Sequence, residues 1–569
     1  MNPPTPAIVT QLAARRLPRW VLVLLGLAYI VPGLLGRQPW RNADLASFGV
    51  MLDMARGSGN WLHPQVLGQA AEVKAWLPYW LGAAAIQWLP WLPADQAVRV
   101  PFALLLLITL VATWYAMYHL ARLPAAQPVT FAFGGEARPQ DYARALADAA
   151  LLALLASLGL ALLSHESTPD AAQLACSAVL LYACARLASP HAERRWLSTL
   201  LWWLGAVGLA LSGAPWLGLA LASGWLGWAA LPHNGPQPTR ARLGMWLACL
   251  TGTSLAALLA WDLELPRRLE VWASLDHWLR LDDWREYGRL LMWFTWPAGP
   301  LALWTLWRWR RRLSSAHVLL PLWFALAGLL SSWLLGASDR ALLMALPGMA
   351  CLAAFALPTL TRTVTAWIDW FALLFFTGCS AIIWLYWIAM QTGLPAQPAA
   401  NVALILPGFT PRFSAWQFVP ALLATLVWLG LIGWRVGRHR PALWKGLVLS
   451  ATGTTVCWSL LMTLWLPALN FGMGQEPISR RIAAAAPPGA CVLVHGLRQA
   501  QMAGLQYHGQ LELLRAAPGR GQDCGLLVVD PSAYTTLSAQ VDVTQWSLLA
   551  RVPRLRENRD SLMVFERRR

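Results

Sequence analysis

The chain has 569 residues, of which 57% are hydrophobic and only 12% charged, with a formal net charge of +17 and a mean hydropathy of +0.46. A soluble protein of this length cannot cover its surface with so few charges, so the composition describes a polytopic membrane protein. The positive balance does not indicate nucleic-acid binding, because the arginines gather in short loops between apolar runs and form no basic groove. Many of the 37 tryptophans lie near the ends of apolar runs, where an indole ring stays buried while its N–H remains wet.

Arg15, Arg16 and Arg19 precede an apolar run, Trp20–Leu35, with no small-residue cleavage site after it. It is read as a retained first helix rather than a signal peptide. Further runs follow at Ala97–Leu120, Ala147–Ser164, Ala171–Leu187, Leu197–Leu211, Leu217–Leu231 and Leu243–Trp261. The series continues with Leu290–Trp307, Val318–Leu335, Ala341–Leu357, Val364–Met390, Trp416–Trp434 and Leu447–Leu466. Hydropathy thus predicts an α-helical fold of about 13 transmembrane helices. Trp76–Pro93, broken by Pro78 and Pro90, is read as a helix at the interface or a re-entrant segment.

If Trp76–Pro93 does not cross, one parity places Arg15–Arg19, Arg122, Arg194/Arg195, Arg240/Arg242, Arg308–Arg312 and Arg435–Lys445 on the cytoplasmic side. The N-terminus is then inside. Outside lie the loops 37–96 and 262–289, the short loop His165–Asp170, the segment Gln391–Ala415 and the tail. The chain divides into a membrane domain, 1–468, and a soluble tail, 469–569, which changes character near Leu469. Ile478–Ala486 reads as a helix, and Cys491–Gly496 and Gly525–Asp530 read as buried strands, so the tail is expected to be a small α/β domain. No internal repeat of the transporter kind is visible. Six of the eight cysteines lie in apolar runs as small hydrophobes. Cys491 and Cys524, in a tail expected in an oxidising compartment, are either two buried thiols or a disulfide.

Carboxylates in a membrane enzyme belong at helix ends and in loops, because charge at the midplane is costly. Asp44 opens the first outside loop, Asp170 ends the second, and Asp276, His277, Asp282 and Asp283 populate the third. Lys74 stands just before the interfacial segment, where an outward cation suits an anionic lipid headgroup. The competing reading makes Asp44 and Asp170 helix caps.

The order of these features carries a resemblance. Arg41-Asn42-Ala43-Asp44-Leu45-Ala46-Ser47-Phe48 leads to Gly59-Asn60-Trp61-Leu62-His63-Pro64, then Val66-Leu67-Gly68, Glu72-Val73-Lys74-Ala75 and Leu77-Pro78-Tyr79-Trp80. This resembles the first periplasmic loop of bacterial polyprenyl-phosphate-sugar glycosyltransferases of the GT-C superfamily, which contains the lipid A aminoarabinose transferases and is distantly related to the protein O-mannosyltransferases. Ala97-Val98-Arg99-Val100-Pro101, Trp272 with Asp276-His277, Trp293-Phe294-x-Trp296-Pro297, Arg340-x-Leu342-Leu343 and Gln506-Tyr507-His508-Gly509 resemble later stretches of that family. Ser47 stands where the family has arginine, Leu45 where it has a second acidic residue, and Val73 and Ala75 flank the lysine where Glu and Pro are usual.

The resemblance implies an inner-membrane glycosyltransferase that moves a sugar from a polyprenyl phosphate to an acceptor on lipid A, another glycan or a protein. Lys74 would hold the leaving phosphate. Asp44 would act near the anomeric carbon as base or charge stabiliser, or only as a positioning group if the acceptor is itself a phosphate, with Asp170 a second catalytic candidate. No cofactor is required. The family also suggests a metal pair at Glu72 and His277, although Glu72 is one position off and two ligands make a weak site. A transporter or lipid flippase is the rival class; it would normally place charged or broken helices near the midplane.

Overall fold

The computed structural model describes residues 5–40, 42–189, 194–230, 239–262, 281–436, 442–486, 491–517, 524–554 and 557–568. The expected apolar runs fall on helices. In chain order these are α1 (Arg19–Ile30), α2 (Asn42–Ala55), α3 (Leu77–Trp88), α4 (Ala94–Ala97), α5 (Arg99–Ala121), α6 (Pro139–Ala156), α7 (Leu158–Leu163), α8 (Pro169–Ala188), α9 (Arg195–Leu211), α10 (Pro215–Ala230) and α11 (Thr239–Asp262). They continue with α12 (Leu281–Phe294), α13 (Ala298–Arg308), α14 (Ala316–Leu334), α15 (Asp339–Leu342), α16 (Leu346–Ala356), α17 (Arg362–Thr392), α18 (Ala396–Ile405), α19 (Ala415–Val436), α20 (Lys445–Leu461) and α21 (Leu466–Met473).

By length and composition, 6 described segments can cross a membrane: Ala94–Ala121, Pro169–Ala188, Ala316–Leu334, Asp339–Thr359, Arg362–Thr392 and Ala415–Arg435. The pair α20 and α21, bent by 69°, makes a seventh if it is one span. The other expected runs are shorter or interrupted. Ser157, in extended conformation, separates α6 from α7, and Thr295–Pro297 separates α12 from α13. Trp76–Pro93 contains the 12-residue α3, with Pro78 in its first turn, where proline is tolerated. At 1.5 Å per residue α3 covers about 18 Å, too little to span.

Alanine-rich α6, α8 and α16 form the centre of the bundle, and nearly every side chain they carry is buried. Small side chains let helix backbones approach closely where lipid supplies no hydrophobic drive to association. The helices divide the molecule into two ends. At one, Leu17 donates its N–H to Asp148, Arg312 bonds the Ala125 carbonyl, and Trp444 bonds the Arg15 carbonyl. At the other, the segments 37–47, 72–80, 165–170, 211–217 and 338–344 meet. The loops around Arg15, Arg312 and Trp444 thus lie at one end, and those carrying Asp44, Lys74 and Asp170 at the other.

The tail forms a five-stranded sheet in the order β4 (Leu513–Arg515), β3 (Val492–His495), β5 (Leu526–Val529), β7 (Glu557–Arg567), β6 (Trp546–Arg554). The first three strands are parallel and the last two antiparallel. Both expected strands are present, and α22 (Glu476–Ala485) occupies the expected helix. Cys491 and Cys524 are joined, with Cα atoms 4.8 Å apart, which decides between the two readings of these cysteines. The helix α23 (Gln499–His508) does not stand apart from the membrane helices. It packs on α2, and the two share one apolar core with Phe48, Met51, Tyr79, Ala500 and Ala503.

Candidate active site

The segment between α2 and α3 is folded rather than extended. A hairpin pairs β1 (Gln65–Val66) with β2 (Gln69–Ala70), and Leu67 and Gly68 between them both have positive φ, the signature of a tight type I′ turn. The turn before it is pinned by two stacked indoles: Trp76 donates to the Leu62 carbonyl and Trp80 to the Trp61 carbonyl. After the hairpin the chain passes the C-terminal end of α9, where the Trp76 N–H bonds the Leu211 carbonyl at 2.7 Å. Gly213 makes this approach possible. Its φ is +85°, and a Cβ there would lie 2.8 Å from the Lys74 carbonyl oxygen.

Lys74 lines a cavity of about 350 Å³ together with Glu72, Asp170, Arg340, Ser47, Gln173 and Tyr79, and with Gln499 of the tail. Trp216, Leu217, Leu335 and Met344 give the same cavity an apolar wall. Three of the expected residues, Lys74, Asp170 and Glu72, therefore converge, although they come from two separate loops. His277, the other half of the expected metal pair, lies outside the described residues. Among the described residues no group of three His, Cys, Asp or Glu could hold a metal ion, and Asp170 is already engaged by Arg340.

Asp44 requires a correction. It is not in a wet loop: it sits in the first turn of α2 and is wholly buried. It does not line the cavity, although Ala43, Ala46 and Ser47 beside it do. Nor does it cap its own helix. One carboxylate oxygen accepts the Ser167 N–H at 2.8 Å; the other faces Arg99 Nη2 at 3.4 Å and Arg37 Nη2 at 3.7 Å. Asp170 is no N-cap either. That place belongs to Thr168, and Asp170 accepts from Arg340 Nη1 at 3.2 Å.

These contacts belong to one chain of alternating charges. Arg99 and Arg37 flank Asp44; Arg37 reaches Glu166 at 3.9 Å; Glu166 is bonded to Arg340; and Arg340 ends the chain at Asp170 on the cavity wall. Arg37 and Arg99 also both donate to the His165 carbonyl, at 2.7 and 2.9 Å. Burial of so many ions is tolerable only when each is paired and hydrogen-bonded. Burial pushes the Glu166 carboxyl above the usual carboxylate range, the neighbouring Asp44 adds to the rise, and Arg340 and Arg37 oppose it.

Arg37, Arg99, Glu166 and Arg340 were not singled out as site residues from the sequence. The available signal was Arg99 and Arg340 standing at the edges of apolar runs, since an ionisable residue there is a functional candidate by default. The tail motif Gln506-Tyr507-His508-Gly509 has a docking role. The Tyr507 hydroxyl donates to Asp95 at 2.8 Å, and its ring meets Phe48 edge-on at 4.9 Å.

No protein-family model matches the sequence, and no curated protein matches it. Solved structures do. ArnT from Cupriavidus metallidurans bound to undecaprenyl phosphate is similar over 96% of this chain and 98% of its own, with 16% identity and a TM-score of 0.62. The fold is that of this ArnT. The apo state of the same ArnT matches over the same shares at 14% identity and a TM-score of 0.60. The Archaeoglobus fulgidus oligosaccharyltransferase in its apo form is more distant, with 10% identity, a TM-score of 0.45 and coverage of 90% of this chain and 69% of its own.

Proposed function

We propose that this protein is a multi-pass membrane glycosyltransferase that takes a sugar from a polyprenyl-phosphate donor and passes it to an acceptor at the same membrane face. The observation that carries the reading is the convergence of Lys74, Arg340, Asp170 and Glu72 in one cavity with an apolar wall, on a fold like that of an ArnT bound to undecaprenyl phosphate. A lipid phosphate needs this pairing of cations with an apolar surface.

In the proposed reaction the bond between the anomeric carbon and the phosphate oxygen breaks as the acceptor oxygen attacks. The phosphate leaves with the bonding electrons and a charge that Lys74 and Arg340 stabilise. A hydroxyl acceptor gives its proton to Asp170, whose hold by Arg340 loosens as Arg340 turns to the phosphate. A phosphate acceptor needs no base. Asp44 acts as a positioning residue, keeping Arg37 and Glu166 where they orient Arg340. The charges of this site gather at one end of the bundle, and α16 is apolar and buried along its whole length, which favours transfer at a surface over transport across the membrane.

The bacterial inner membrane, with a cytoplasmic N-terminus and a periplasmic tail, is the setting that fits a donor in the outer leaflet and a disulfide in the tail. Lipid mass spectrometry of cells lacking and overexpressing the protein tests the reading: one glycolipid or glycan should lose or gain a single sugar. An unchanged profile, together with a purified protein that does not bind undecaprenyl phosphate, would overturn it.

A further inference from the structure

At the end of the bundle opposite the charged chain, a cavity of about 600 Å³ opens between the beginnings of α17 and α20 and the end of α19. Its wall carries three cations, Arg362, Arg435 and Lys445, against one carboxylate, Asp369. Arg435 is bonded to Asp369, yet Asp369 Oδ1 and Arg435 Nε are buried with no hydrogen-bond partner among the described residues. Lys445 interacts electrostatically with Arg435, Asp369 and Arg362 together. Residues that merely anchor helices at a membrane surface spread out toward water; here the cations converge on one hollow. Arg362 and Lys445 are also the first residues of α17 and α20, so two helix N-termini, which favour anions, open beside the same space.

The surroundings define the ligand further. Beside the cavity, α17 exposes Trp367, Trp370, Phe371 and Leu374, and α19 exposes Leu426 and Leu429. A ligand with an anionic head in the cavity would lay an apolar tail along these faces. We propose that the cavity binds the phosphate headgroup of an anionic membrane lipid from the leaflet opposite the candidate active site. This site does not depend on the glycosyl-transfer reading.

Native mass spectrometry of the full-length protein in mild detergent, titrated with phosphatidylglycerol, tests it. One phosphatidylglycerol should bind in preference to phosphatidylcholine. The double variant Arg362→Gln, Lys445→Gln should weaken that binding by at least about tenfold, the order of one lost charge-assisted contact. Arg310→Gln with Arg311→Gln, exposed at the same end but outside the cavity, should leave it unchanged. If the double variant does not fold, Arg362→Gln alone, at an exposed position, gives the same reading. Equal binding of phosphatidylcholine, or unchanged affinity in a folded cavity variant, would overturn the proposal. Displacement of the lipid by inorganic phosphate at equal concentration would make this an ion site and overturn the lipid assignment.

Discussion

Asp44 and Arg99, 55 positions apart in sequence, meet as a buried ion pair with Nη2 3.4 Å from Oδ2. The pair ties the start of α2 to the start of α5, and through Ser167 to the loop before α8. Asp44→Ala should therefore cost about 3–5 kcal/mol, the range for removing one partner of a buried pair and leaving the other uncompensated. An exposed helix cap would lose only about 0.5–2 kcal/mol. Thermal unfolding in detergent distinguishes the two. Asp44→Asn, which keeps the Ser167 hydrogen bond, should lose less stability than Asp44→Ala but still disturb activity by loosening Arg37 and Glu166.

The sequence showed where helices lie because a run of about 20 apolar residues has few other uses in a chain so poor in charge. It also showed the two tail strands, short apolar stretches bounded by Pro, Gly and Asp. It could not show which side chains face one another across the bundle. Lys74 and Asp170 share the cavity because the turn after α9 brings Gly213 close against the Lys74 backbone. Glu166 sits in the short loop 164–168 between α7 and α8, and its importance comes from Arg37 and Arg340, both far off in sequence. The sequence marks Asp44 as unusual but not its environment, since local pattern alone does not tell a wet first turn from a buried one.

The Cys491–Cys524 bridge closes a loop with a sequence separation of 33. Reducing it, or replacing Cys524 with serine, should destabilise the tail by about 2–4 kcal/mol, mainly through the freedom returned to the unfolded chain. Alkylation with and without prior reduction should show two masked thiols in the native protein. Two thiols freely alkylated in protein taken from cells without reductant would contradict the bridge.

Docking of the tail should depend on pH through His508. Burial lowers its pKa below the usual 6.5; Glu476 and Asp95 pull it back up and Arg480 adds to the lowering. The folded state therefore resists the proton that the unfolded chain accepts. Stability from this source is present above the unfolded pKa and is lost as pH falls from about 6.5 toward the lower folded value. Protease resistance of the tail should decline over that window, and His508→Leu should flatten the decline. A wild-type tail equally resistant on both sides of the window would contradict this.

If Lys74 and Arg340 hold one lipid phosphate as proposed, the two should separate under mutation, because their structural duties differ. Lys74 is exposed on the cavity wall, whereas Arg340 also bridges Glu166 and Asp170. Lys74→Ala should weaken undecaprenyl-phosphate binding by about tenfold to a hundredfold, the range expected for one lost charge-assisted contact. Arg340→Gln should do both harms at once, lowering affinity and destabilising the fold, because two carboxylates lose their cation. Arg340→Lys keeps the charge but not the planar fork that reaches two carboxylates, so it should recover only part of either loss. Gly213→Ala provides an independent check of the geometry. Its Cβ would press on the Lys74 carbonyl and its φ would be strained, so it should weaken lipid-phosphate binding without touching any charged group. Should Lys74→Ala bind undecaprenyl phosphate as the parent does while Gly213→Ala does not, the phosphate would have to be held elsewhere in the cavity.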